Sequence, residues 1–233
     1  MTPENRIPEL DILRGFCILS MIAVHLIYDL TEIYCVFPAY PVAVLFLKNW
    51  GGIVFFLISG ISITLGHHPL KRGSVVLCCA TLVSAVTAMA GMPVRFGVLH
   101  ALGSCMILWI FFRKLPQKAL LYLALLIIAL GAVFEAYTVS FPFLYPLGLL
   151  AADFQSADYF PLFPYFGYFL AGACFGRTCY SARRSLLPWF SFSGKLSRTL
   201  LFCGRQSLLL YLLHQPVLIG TIETTLFLRR KFL

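Results

Sequence analysis

The sequence predicts an all-α polytopic membrane protein with about seven transmembrane helices, or eight if one interfacial segment is counted, and a cytoplasmic N-terminus. Three observations lead there. Hydrophobic residues make up 60% of the chain and charged residues 12%, with a mean hydropathy of +0.89, whereas soluble domains carry about a quarter charged residues. Apolar runs recur at lengths near the 20 or so residues that a helix needs to cross a bilayer. Lysine and arginine gather in alternate connections, as retention of basic residues on the cytoplasmic side requires. The 233 residues suit one membrane domain, 1–233, with no separate soluble domain.

Taken in order, the first run is Ile12 to Leu30. It is long, punctuated by acid and base, and lacks a small-residue cleavage site, so it reads as a permanent helix and not a signal peptide. Pro41 to Asn49 is amphipathic and would be the interfacial segment. Trp50 to Gly66, Ser74 to Met92, Phe96 to Phe112 and Ala119 to Phe134 are uninterrupted enough to be the second to fifth helices. Leu162 to Phe175 is short for a sixth, with Tyr159 as an alternative start, and Ser207 to Leu228 is the seventh. No fixed-period repeat or low-complexity linker appears.

The basic residues set the orientation. Arg6 and Arg14, Lys71 and Arg72, Arg113, Lys114 and Lys118, and the group Arg177, Arg183, Arg184, Lys195, Arg198 and Arg205 all fall on one side of a seven-helix drawing. The opposite connections, Asp29 to Pro41 and Glu135 to Phe160, contain no lysine or arginine. Lys48, Arg95 and the tail Arg229, Arg230 and Lys231 are exceptions. For the tail, either the last helix breaks at Pro216 and turns back or the count is off by one.

Composition also excludes. The net charge of +9 is dispersed over several connections without an aromatic-basic motif, so no nucleic-acid partner is expected. The eight cysteines form no C-x-x-C pair and sit largely within helices, which suggests neither a disulfide framework nor a metal site. "GISITLG" is not a phosphate loop.

Helical geometry singles out the first run. With about 100° per residue and Arg14 at zero, Asp11 falls near 60°, His25 near 20° and Asp29 near 60°. One stripe therefore carries every ionisable group from Asp11 onward. Arg14 and His25 lie roughly 16 Å apart along the axis. Such a stripe cannot face lipid, where ionisable groups are costly unless they line a bundle interior or a wet cavity. In the last run Ser207, Tyr211 and His214 share a second face, at about 0°, 40° and −20°. His100 lies early in the fourth helix, while His67 and His68, beside Lys71 and Arg72, read as solvated loop residues.

Five segments, in order, carry a resemblance: "RIPELDILRGFCILSMIAVH", "VFFLISGISITLG", "RFGVLHALG", "SADYFPLFPYFGYFLAGACFG" and "GRQSLLLYLLHQPVL". Over nearly its whole length the chain resembles the heparan-α-glucosaminide N-acetyltransferase catalytic-domain family in its small prokaryotic form. Asp11, Arg14 and His25, spaced as D-x-x-R with a histidine eleven residues on, are also similar to the first helix of the wider membrane acyltransferases that acetylate polysaccharides, in which that histidine is regarded as catalytic.

The resemblance implies a transmembrane acyltransferase-like bundle in a prokaryotic plasma membrane. It would take an acetyl group from cytoplasmic acetyl-CoA and deliver it to a glycan or amino-sugar acceptor on the far side, as a monomer or a homodimer and without a metal. Acyl transfer needs a base for the acceptor, donors for the oxyanion and a hold on the CoA phosphates. His25 is the first candidate base, oriented by Asp29 one turn on, and His100 is the second. Asp158, expected at the same outer level, would orient either histidine or bind acceptor hydroxyls. Arg14 would fork onto a donor phosphate or pair with Asp11. His214, Tyr211 and Ser207 would line the acceptor. Ser59, Gly60 and Ser62 read as helix-packing residues. The aromatic "FPFLYPLGLLAADF" would form a rim, a lid or a headgroup belt. Two rival classes are a haem-binding electron carrier using two of the three intramembrane histidines and a small-molecule transporter.

Overall fold

The computed structural model describes residues 7–189 and 192–232, so Arg6, one of the orienting basic residues, lies outside the described residues. All regular elements described are helical. They are α1 (Pro8–Tyr28), a π-helical turn (Asp29–Ile33), α2 (Val42–Leu65), α3 (Pro69–Met89), α4 (Val98–Phe112), α5 (Gln117–Glu135), a 3-10 turn (Pro142–Leu147), α6 (Leu162–Cys179), α7 (Lys195–Arg205) and α8 (Ser207–Phe232). Proline sets several of the starts. Pro8 and Pro69 occupy first-turn positions, where a missing N–H costs nothing, and α5 and α6 follow Pro116 and Pro161.

Four helices are long and apolar enough to cross a membrane: Pro8–Ile33 with the π turn included, Val42–Leu65, Pro69–Met89 and Gln117–Glu135. α4 is apolar but has 15 residues, a length of about 22 Å.

The chain forms two compact units, residues 55–186 in one and 7–54 with 187–232 in the other. In the first, Phe56, Phe169, Leu120, Leu170 and Cys105 are its largest fully buried side chains. α6 packs on the end of α2 backbone to backbone. A Cβ at Gly172 would come within 2.9 Å of Leu57 Cα, and one at Gly60 would collide with the Phe169 carbonyl, so both positions need a bare backbone. The packing role expected of Gly60 is thus its observed one. Nearby, the Ser62 hydroxyl bonds to the Ile58 carbonyl at 2.7 Å, which satisfies it within its own helix. The α4–α5 connection is tied down by Arg177, which lies 4.9 Å from the Trp109 ring and donates to the Leu115 and Arg113 carbonyls. Those carbonyls follow the end of α4, where helical partners run out.

The second unit is built on α1. A Cβ at Gly15 would stand 3.1 Å from Gly204 N and collide with the Leu200 carbonyl; one at Gly204 would stand 3.0 Å from Gly15 N. α7 and α1 therefore touch along their backbones. Three pairs then set the direction of α8: Asp11 with Arg205 just ahead of it, His25 with His214, and Tyr34 with Glu223. Numbers rise together along both segments, and the step from the second pair to the third is nine residues in each (34 − 25 and 223 − 214). α8 accordingly runs parallel to α1, and its basic tail lies at the end where α1 finishes.

Four expectations change. Pro41 to Asn49 is not a separate interfacial segment, because its residues from Val42 on are the first turns of α2. Pro216 does not break the last helix; α8 is continuous from Ser207 to Phe232 around it, so the turn-back explanation of the tail falls. The stretch before Ser207, expected as a connection, contains α7, whose Gly204 faces α1. Tyr159 lies outside α6, paired instead with Phe96 in an extended bridge. His67 and His68 are exposed, and all eight cysteines are free thiols.

Candidate active site

The second unit brings the stripe of α1 against the polar face of α8. The His25 and His214 rings lie 4.9 Å apart between centroids, tilted by 57°. Both are half-buried. His214 Nδ1 stands 2.6 Å from the Tyr211 carbonyl, one helical turn back, and the Tyr211 ring lies 5.5 Å from the imidazole. A carbonyl only accepts, so Nδ1 carries the proton and Nε2 keeps the lone pair of the neutral ring. The backbone of α8 thus selects the tautomer of His214.

A second brace lies four residues beyond His25 and one beyond His214. Asp29, 0% exposed, accepts from Gln215 Nε2 at 2.9 and 3.0 Å through its two oxygens. The carboxylate fixes the amide orientation, NH₂ inward, because it can only accept when ionised. Gln215 Oε1 is consequently turned away; it is buried and has no hydrogen-bond partner among the described residues. The orienting bond expected between Asp29 and His25 is thus replaced by one to Gln215, the residue next to His214. The π turn beginning at Asp29 departs there from the regular 100° step assumed in the helical projection.

Toward the start of α1 the charges are arranged differently. Asp11, 5% exposed, takes Arg14 Nη1 at 2.9 Å and has Arg205 Nε at 3.7 Å from its other oxygen. Of the two expectations for Arg14, the brace to Asp11 is formed. Arg205, from α7, joins it from across the helix pair.

In the other unit Asp158 accepts the Val98 N–H at 3.0 Å and so caps the start of α4, two residues ahead of His100. The capping loop is pinned in register with residues 93–96: Phe160 N–H bonds to the Phe96 carbonyl at 2.9 Å and Ala157 N–H to the Pro93 carbonyl at 3.2 Å. His100 Nε2 is 3.5 Å from Ser84 Oγ and its ring stacks obliquely on Phe96 at 5.6 Å. Tyr159, Tyr145 and Phe154 form an aromatic cluster beside this loop, with the Tyr159 hydroxyl on the Tyr145 carbonyl at 2.6 Å. Of the "FPFLYPLGLLAADF" segment, Phe141 and Phe143 are strongly exposed. Among the described residues no three His, Cys, Asp or Glu side chains are grouped as a metal would require.

Four of the candidate residues therefore meet in one place: His25 and Asp29 on α1 and its π turn, and His214 with Tyr211 on α8. Ser207 begins α8, below them. Sequence reasoning missed Gln215 and Arg205. Gln215 left a signal, an amide within "YLLHQPV", where a buried polar group needs a partner. Arg205 was legible only as a topology marker, since its helix was not expected.

Residues 6–216 match the family described as "Heparan-alpha-glucosaminide N-acetyltransferase, catalytic". No curated protein and no solved structure matches the chain. With four helices able to cross a bilayer and this match, the chain is an integral membrane protein.

Proposed function

The chain belongs to the heparan-alpha-glucosaminide N-acetyltransferase catalytic family, whose membership implies membrane acetyltransferase activity, and from that premise we propose that it moves an acetyl group from cytoplasmic acetyl-CoA to a sugar amine or hydroxyl on the opposite face. In this reading seven helices, α1 to α6 and α8, span the bilayer, with the N-terminus and most basic residues inside. The parallel course of α1 and α8 agrees with an odd number of spans. The acceptor end is then the end of α1 that bears His25.

The observation that carries the reading is the His25–His214 pair, two imidazoles tilted by 57° with centroids 4.9 Å apart where α1 meets α8. His25 serves as the general base. As the acceptor nitrogen or oxygen attacks the thioester carbon, its proton passes to the imidazole. The tetrahedral intermediate then collapses, the C–S bond breaks, and the imidazolium returns the proton to the departing thiolate, giving CoA. His214, its tautomer selected by the Tyr211 carbonyl, borders this region with Tyr211, while Ser207, at the start of the parallel α8, lies toward the donor end of the same face. Asp29 acts through Gln215, holding α8 in register with α1. At the other end, Arg14, which pairs with Asp11, takes the phosphates of the donor in this reading.

His100 and Asp158 have a second role in the proposal. The Asp158 cap positions the first turn of α4, and His100 is the alternative base.

The test is acceptor-dependent thiol release from acetyl-CoA in membranes, over a panel of glycans and amines. His25→Ala should lose about 10²-fold or more in turnover while binding CoA normally. His25→Asn keeps some hydrogen bonding but accepts no proton at neutral pH. Full turnover in the Asn variant would assign the base to His100 instead.

A further inference from the structure

Arg205, whose place is set by the α1–α7 contact, has no part in the chemistry proposed above. Its Nε faces Asp11 at 3.7 Å, and its side chain is 50% exposed while that of Asp11 is 7% exposed. Its two terminal nitrogens make no hydrogen bond among the described residues. With its Nε beside a buried carboxylate and half of its side chain exposed, the guanidinium keeps two terminal nitrogens that can take a phosphate bidentately. The backbone contact at Gly15 and Gly204 fixes where that fork emerges.

The helix supplies a second cation in line. Arg198 precedes Arg205 by seven residues on α7, which puts it about 20° away around the axis and about 10 Å back along it. Arg198 is also exposed and likewise makes no ion pair among the described residues. Two arginines two turns apart suit a ligand with two separated phosphate groups.

Distance identifies the ligand further. A pantetheine arm has about 13 bonds between its phosphorus and its sulfur; at roughly 1.2 Å of extension per bond it spans about 16 Å. That equals the roughly 16 Å from Arg14 to His25 along α1. A pyrophosphate held at the Arg14–Arg205 level therefore delivers its thioester to the imidazole pair.

Resting on the acetyl-CoA reading, we infer that Arg205, beside buried Asp11, binds the pyrophosphate of the acyl-CoA donor and Arg198 its 3′-phosphate. The probes are CoA, 3′-dephospho-CoA and the phosphate-free thioester S-acetyl-pantetheine, measured on the whole protein in uncharged micelles. Arg205→Ala should weaken CoA about tenfold or more, with Arg205→Lys recovering part of the loss as a point charge. Arg198→Ala should weaken CoA but not 3′-dephospho-CoA, and neither loss should extend to S-acetyl-pantetheine. Unchanged CoA affinity in Arg205→Ala, or an equal loss with the phosphate-free thioester, overturns the assignment. A fall in binding to phosphatidylglycerol vesicles with CoA affinity intact would make the ligand a lipid headgroup and also overturn it. Wild-type protein that binds no CoA would instead defeat the acetyltransferase reading itself, so the two failures are told apart.

Discussion

Removing the amide of Gln215 is the most informative structural perturbation. Gln215 Nε2 reaches both oxygens of a fully buried carboxylate, yet one NH₂ cannot align both hydrogens on two oxygens of the same group. The contact therefore counts as one charge-assisted bond, about 1.5 to 3 kcal/mol when one partner is deleted. Measured hydrogen bonds between membrane helices lie lower, around 0.6 and at most about 1.7 kcal/mol. The burial of Asp29 and its charge place this pair at the upper end, so Gln215→Ala should cost about 2 kcal/mol. Asp29→Asn alone should cost about as much, because two amides meet imperfectly. The double variant should be far less than additive, with a coupling of about 1 to 2 kcal/mol. Thermal unfolding of the four proteins in one detergent gives the cycle, and thiol release gives its functional counterpart. Turnover should fall in both single variants, since the brace adjoins the imidazole pair. Strictly additive stabilities would show that Asp29 and Gln215 do not hold each other, and the account of the site's rigidity would fail.

Further outcomes follow from other contacts. Arg14→Ala should weaken CoA binding by about 1 to 3 kcal/mol, read by calorimetry, and unchanged affinity would remove its donor role. Gly204→Leu should destabilise strongly, by about 3 kcal/mol or more, because its side chain has no space between α7 and the Asp11 carbonyl; near wild-type melting would contradict the backbone contact. Asp158→Asn should lower stability by about 1 kcal/mol through the weakened cap on Val98, with turnover falling only in proportion if the residue is a cap and further if it also holds the acceptor. The purified protein should be colourless; a Soret absorbance would favour the haem-carrier rival.

How much of this was legible in the sequence depended on periodicity. The helices α1, α3, α4 and α5 announce themselves as long apolar runs, and their prolines mark where α3 and α5 start. α7 was missed because an 11-residue amphipathic helix rich in Lys and Arg has no apolar run to find. The helical projection correctly placed Arg14 and His25 on one stripe, since α1 is regular as far as Tyr28. It misjudged the partner of Asp29, because the partner comes from α8, 186 residues away, and no local spacing encodes that. For the same reason His25 and His214 each looked eligible alone, while their ring contact depends on the parallel course of two distant helices. Asp158 read as a chemical group from its sequence; its carboxylate spends one oxygen on the N-terminus of α4. Gly60, by contrast, was visible as a small residue in an apolar run, whereas the close approaches at Gly15, Gly172 and Gly204 depend on which distant helix packs there.

The central claim is acetyl transfer across the membrane through His25, and one experiment addresses it whole. Sealed vesicles would hold the protein with its N-terminal face inward, isotope-labelled acetyl-CoA trapped within and an amino-sugar acceptor outside. Wild-type protein should place labelled acetyl on the external acceptor while CoA accumulates inside, and His25→Ala vesicles with the same CoA affinity should be at least about 10²-fold slower. Label appearing only on internal acceptor, or at an equal rate in the His25→Ala vesicles, would contradict the account.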